Sequence, residues 1–219
     1  MIIRTCVSSS IAYDLGMSTP RTIVDLDREA IHVSIGVVER VVATDLDRPT
    51  PCAGWTLAAL LAHMTAQHRG FAAAARGNVD DLSAWSVETV HQDPVTAYVD
   101  AAHDVLAAFA GADLDRQTLW LPEIRDGGPF PATMAVAFHL VDYVVHGWDV
   151  AVAIGAVATY PDEVLDAART IAQLVPDDDE RDQPGSAFAH TLPLTTDINA
   201  LDEILLLLGR SPGWAPSER

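Results

Sequence analysis

Two histidines and two aspartates, His139, Asp142, His146 and Asp149, follow one another at intervals of three, four and three residues. On a helix that spacing places all four in a single stripe. Phe138, Leu140, Val141, Val144 and Val145 cover the other faces, and the stripe itself holds no Lys, Arg, Glu or Gln. Ionisable groups buried without a partner or a metal cost several kcal/mol, and a set restricted to imidazole and carboxylate fits a buried polar site better than a solvated edge. Asp142 and His146, one turn apart, can reach the same cation at about 2.0–2.2 Å each. His139 and His146 are two turns apart, about 10.5 Å along the axis, too far to share one ion. His139 is then expected beside the ligands and not among them, and Asp149 is expected to orient His146 or a bound substrate.

A third ligand has to come from another helix. His63 sits between apolar neighbours in Leu60-Leu61-Ala62-His63-Met64, with Gln67 one turn on. A histidine so placed is more often a core or boundary residue than a ligand, and the pattern alone leaves both readings standing. His68, His91, His103 and His190 read as surface residues.

The elements that would position these groups are helical. Apolar residues at Val24, Ile31, Val38 and Val42 predict a first helix over 23–44. The Pro- and Gly-containing stretch 47–54 breaks it. A second helix starts after Thr56, an N-cap residue, carries Leu57, Leu60, Leu61, Met64 and Phe71 in its apolar stripe, and ends at Gly77. After a long loop, Pro94 opens a third helix with Tyr98, Ala101, Val105 and Phe109 on one face, closed by Gly111. The segment 114–131 reads as irregular or partly extended, and a fourth helix spans 132–154. These four predict a mainly all-α fold, a four-helix bundle with long crossovers over residues 23–155. Residues 1–22 read as a flexible extension, possessing no signal-peptide pattern, or as a start called ahead of Met17. Residues 156–219 read as a short helical extension packed on the bundle, with helices over 161–175 and 199–208.

Composition narrows the function further. Acidic residues outnumber basic ones 31 to 13, for a formal charge of −18. Such a surface repels phosphate backbones and anionic lipid, which argues against nucleic acid and membrane as partners. No apolar run approaches the ~18 residues of a spanning helix, and a cytoplasmic protein is expected. Every basic residue is Arg, a usage that fits GC-rich coding and an actinobacterial source. Cys6 and Cys52 are too few for a disulfide framework, and Cys52, in the turn Pro51-Cys52-Ala53-Gly54, reads as a small buried thiol. A homodimer is the default assembly.

Two segments together resemble a known family. Pro51-Cys52-Ala53-Gly54-Trp55-Thr56 followed by Leu60-Leu61-Ala62-His63, and Asp142-Tyr143-Val144-Val145-His146-Gly147-Trp148-Asp149, are similar to signatures of the DinB-like proteins related to mycothiol-dependent maleylpyruvate isomerase. The tail from Ala187-Phe188 to Leu206-Leu207-Leu208-Gly209-Arg210 resembles the end of single-domain members. The resemblance covers the chain from about Asp25 onward. It implies a DinB-like four-helix bundle holding a divalent metal, zinc first, through His63, Asp142 and His146; nickel, iron and manganese suit the same donors. The characterised isomerases carry a further C-terminal domain that helps hold mycothiol, whereas about 65 residues follow the bundle here.

Two histidines and a carboxylate leave a coordination position open, as catalytic sites do. The resulting expectation is a metal-dependent enzyme using mycothiol as co-substrate or cofactor, an S-transferase or isomerase on a small molecule. Trp55, Gln67, His139, Trp148 and Asp149 are the residues expected around its pocket. The same metal without a thiol, acting on a small metabolite, and a metal-binding protein without turnover are the alternatives.

Overall fold

The helices begin where side chains can satisfy the free N–H groups of a first turn. Thr22 and Asp25 form a reciprocal capping box, with Thr22 Oγ1 accepting from Asp25 N–H at 3.2 Å and Asp25 Oδ2 accepting from Thr22 N–H at 3.0 Å. They open α1, Ile23–Val38. Thr56 caps α2, Leu57–Ala75. Asp93 caps α3, Pro94–Gly111, whose first residue is a proline with no N–H to satisfy. A short antiparallel hairpin follows, β1 Thr118–Leu121 paired with β2 Gly128–Pro131, and runs directly into α4, Ala132–Ala153. Two shorter α-helices follow among the described residues: α5, Asp162–Ala172, and α6, Ala200–Leu207, capped by Asn199. The computed structural model describes residues 21–216 except 79–81, 89–92, 123–126, 184–185 and 195; the expected N-terminal extension lies almost wholly outside them.

α1 packs along α4, α2 packs along α3, and the two pairs close on each other through α1 with α3 and α2 with α4. This is the mainly all-α, DinB-like arrangement that the periodicity and the resemblance implied. Its core includes Ile31, Leu57, Leu60, Leu61, Met64, Leu140, Val144 and Val150, all fully buried. Polar ties cross between helices inside it. Ser34 on α1 and Tyr98 on α3 share a hydrogen bond of 2.5 Å, and Tyr143 on α4 donates to the Met64 carbonyl on α2. α5 packs on α1 and α4, and α6 packs on α5.

The first helix stops at Val38, six residues short of the expectation. Asp45 accepts from the Val42 N–H at 3.1 Å and caps a separate 3-10 turn, Ala43–Asp45. Valines in series carry little helix propensity of their own, so a local side-chain cap redirects the chain. The extended character expected within 114–131 takes the form of the hairpin. No helix among the described residues is long and apolar enough to cross a membrane.

The segment after α5 is held by a buried arginine. Arg181 donates from Nε to the Pro176 carbonyl at 2.7 Å and from Nη1 to those of Ala189 and Leu207 at 2.7 and 2.9 Å. It thereby fixes the loops on both sides of α6.

Candidate metal centre

The loop entering α2 is tied to its surroundings before the helix starts. Leu57 and Ala58 N–H donate to the Arg48 and Leu46 carbonyls, Thr50 N–H donates to that of Trp55, and Arg48 reaches the Ala153 carbonyl at the end of α4 at 3.2 Å. These bonds seat the turn 51–54, and with it Cys52, beside the C-terminal half of α4. Two turns into α2, His63 faces Asp142 and His146 across the α2–α4 contact. One ligand atom from each of the three lies within 4.8 Å of the others. His146 Nε2 is 3.3 Å from Asp142 Oδ1, close to the ~3.4 Å that separates donors around a tetrahedral ion with 2.1 Å bonds. The His63 and His146 rings meet edge to face, 5.4 Å between centroids.

Burial and charge prepare the two imidazoles differently. Desolvation outweighs the attraction of Asp142 at His63 and, helped by His146 and Arg210, pushes its pKa down to about 4. The ring is therefore neutral at pH 7, with a lone pair free to bind. Burial also opposes charge on His146, but Asp142 and hydrogen bonds to Asp149 and Cys52 overcome it and raise its pKa to about 10. In the metal-free protein His146 carries a proton. A borderline divalent cation suits two imidazoles and one carboxylate, and it would displace that proton.

A second cluster stands behind His146. Its Nδ1 is 2.9 Å from Asp149 Oδ2, and Cys52 Sγ lies 3.3 Å from the same oxygen and 3.9 Å from Nδ1. Cys52, His146 and Asp149 also meet the spacing of a metal site. Arg210 decides against a cation there, because its Nη2 sits 3.5 Å from both Cys52 Sγ and Asp149 Oδ2. The guanidinium supplies the positive charge. Asp149 keeps a lowered pKa although burial works against its ionised form, through its bond to His146 and the field of Arg210.

Of the residues expected around the pocket, Trp55 is 38% exposed and meets the His63 ring edge to face, 5.0 Å between centroids. Gln67 is buried one turn beyond His63 on α2. Trp148 is buried in the hydrophobic core, and Asp149 lies against the far nitrogen of His146. His139 requires correction. It is fully buried, with Nδ1 2.7 Å from Asp27 Oδ1 on α1 and Nε2 3.2 Å from His68 Nδ1 on α2. Phe71, Phe109 and Tyr143 surround its ring, and this places it in a separate internal cluster. His68, expected on the surface, is fully buried and stacked on Tyr143 at 3.9 Å. The α2 face that carries it is covered by α4, which no period along α2 reveals. His103 and His190 are exposed as expected, and His91 lies outside the described residues. No local pattern marks Asp27 or Arg210 as a partner, and Cys52, expected as a small buried thiol, is half-buried and bonded to Asp149; Cys52 and Arg210 both stand inside segments that carry the family resemblance.

Gly147 explains a further element of the fourth-helix signature. A Cβ there would collide with the Tyr160 hydroxyl, which donates to the Tyr143 and Val144 carbonyls at 3.2 and 3.0 Å. Glycine lets that hydroxyl dock on α4 directly beneath the site.

Two uncharacterized proteins of Mycobacterium tuberculosis, from strains CDC 1551 and H37Rv, are each 26% identical to this chain over 180 residues, covering 80% of it and 90% of their own length. A crystal structure of the mycothiol-dependent maleylpyruvate isomerase superposes with a TM-score of 0.55 at 15% identity, over 68% of each chain. That of a histidine-to-alanine mutant of the enzyme gives 0.56 at 15% identity, over 89% of this chain and 81% of the other. The likeness is one of fold, and in the second case it reaches beyond α1–α4. The mycothiol maleylpyruvate isomerase N-terminal domain matches residues 28–151, more than half of the chain, from within α1 to near the end of α4, a stretch that carries His63, Asp142 and His146. The chain therefore belongs to the family of that domain.

Proposed function

We propose that this chain is a metal-dependent enzyme that takes mycothiol as co-substrate or cofactor and acts on a small molecule as an isomerase or S-transferase. The observation that carries this reading is the convergence of His63, Asp142 and His146 within 4.8 Å at a place where Trp55 is partly exposed. A divalent ion held there, zinc in our reading, would lower the pKa of a thiol placed against it and so supply a nucleophile at neutral pH. The protein's own groups do the rest. His63 arrives neutral, Asp142 brings one negative charge, and Asp149 holds the His146 ring from behind. Trp55 and Asp142, whose side chain is 25% exposed, are partly open to solvent, and thiol and substrate would enter past them. The mycothiol-dependent isomerase structures of the same fold favour mycothiol over other thiols as the partner.

The test is a titration of the Co(II)-loaded protein with mycothiol. A thiolate-to-cobalt absorption band, lost in His146→Ala, is the expected result. Stoichiometric metal without any band at saturating mycothiol removes the thiol from the proposal and leaves a thiol-independent metal site. Elemental analysis of protein purified without chelators or nickel resin identifies the ion.

A further inference from the structure

We infer that Arg210 is a positioning residue of the metal centre: it anchors Asp149, which in turn fixes the His146 ring, so the C-terminal extension is a working part of the site. The inference rests on the proposal that His63, Asp142 and His146 hold a metal ion.

If His146 binds through Nε2, the nitrogen 3.3 Å from Asp142, its orientation depends on what holds Nδ1. Asp149 Oδ2 holds it, at 2.9 Å from a position three residues further along α4. That carboxylate is fully buried, and an isolated buried carboxylate is strongly disfavoured. Three groups donate to the same oxygen: His146 Nδ1–H, Cys52 S–H at 3.3 Å and Arg210 Nη2–H at 3.5 Å. Cys52 is neutral when it donates, and His146 is the group to be oriented. Arg210 alone brings a permanent charge from outside α4.

The chain takes trouble to deliver it. Gly209 turns out of α6 with φ +74, and a Cβ there would meet Ala189 at 2.6 Å. The next N–H, that of Arg210, bonds back to the Leu205 carbonyl at 2.8 Å and reverses the chain toward α4. Nη1 of Arg210 donates to the Leu208 and Ala187 carbonyls at 3.3 and 3.5 Å, and the guanidinium lies 5.7 Å from the centre of the Phe188 ring. Arg181 independently holds the carbonyls of Ala189 and Leu207 on either side. A surface arginine needs none of this, and Arg210 is 8% exposed.

The experiment measures zinc affinity of the full chain by competition with a chelating dye, well below the unfolding temperature of every variant. The set is wild type, Arg210→Met, Arg210→Lys, Asp149→Asn and the double variant Arg210→Met/Asp149→Asn. Loss of a partner that orients a ligand weakens metal binding about 10- to 100-fold, and Arg210→Met and Asp149→Asn should each do so. Arg210→Lys should recover part of the loss. Because the two residues act in one chain, the double variant should bind zinc within about threefold of Asp149→Asn alone. Wild-type affinity in Arg210→Met, or losses that multiply in the double variant, overturns the inference, since an arginine that merely docks the extension would lower thermal stability equally in both backgrounds. A wild type that binds no zinc overturns instead the ligand assignment beneath it.

Discussion

His139 Nδ1 stands 2.7 Å from Asp27 Oδ1, and neither side chain is exposed to solvent. The polar stripe on α4 therefore divides. Its first residue joins α1 and α2 through the chain Asp27–His139–His68, while Asp142, His146 and Asp149 belong to the candidate metal centre. Burial raises the Asp27 pKa, against the pull of His139, and drives that of His68 well down, so His68 is neutral. The inner chain serves to fasten three helices together.

Asp27→Ala and His139→Ala should each cost about 2–4 kcal/mol of stability, because each leaves a buried partner unsatisfied. Urea unfolding of the metal-free protein reads this loss. Zinc stoichiometry should stay at the wild-type value in both, and disappearance of the ion from a well-folded His139→Ala protein would return His139 to the coordination sphere.

His63→Ala and His146→Ala should abolish stoichiometric metal retention with helix content unchanged. Elemental analysis paired with far-ultraviolet circular dichroism checks both at once. Retained metal in either variant removes that residue from the ligand set.

Metal affinity should climb with pH. The proton on His146, whose pKa lies near 10, must leave before Nε2 can bind, whereas His63, near 4, is already neutral. Between about pH 6 and 9 the logarithm of the zinc association constant should gain about one unit per pH unit. Calorimetry in buffers of different ionisation enthalpy should register one proton released per ion; none released would contradict the protonated His146. The linked effect on metal-free stability has the opposite sign. A pKa raised from 6.5 to about 10 contributes stability that is complete below 6.5 and disappears as pH rises through 10.

Gly147→Ala should destabilise the fold by about 1–3 kcal/mol, since the new methyl group overlaps the Tyr160 hydroxyl. Removing that oxygen relieves the overlap. The double variant Gly147→Ala/Tyr160→Phe should therefore unfold at a higher temperature than Gly147→Ala alone; equal or lower stability would mean that the collision is not with the hydroxyl.

Much of this was open to inspection in the sequence because it is local. Thr56, Pro94, Asn199 and Gly209 mark helix ends through contacts within four residues, and the third helix has the bounds expected of it. The spacing of Asp142 and His146 fixes their adjacency on any helix. Tertiary packing decided what lies far apart in the chain: that His63 meets this pair across α2 and α4, that Asp27 removes His139 to another cluster, and that Arg210 returns from the C-terminus to Asp149. A period along one helix defines a face but not the neighbour covering it. His139 was therefore legible as a buried polar residue but its partners were not, and His68 was legible only as a residue on a helix, because the neighbour that covers a face is set by the other helices and not by the residue's own turn.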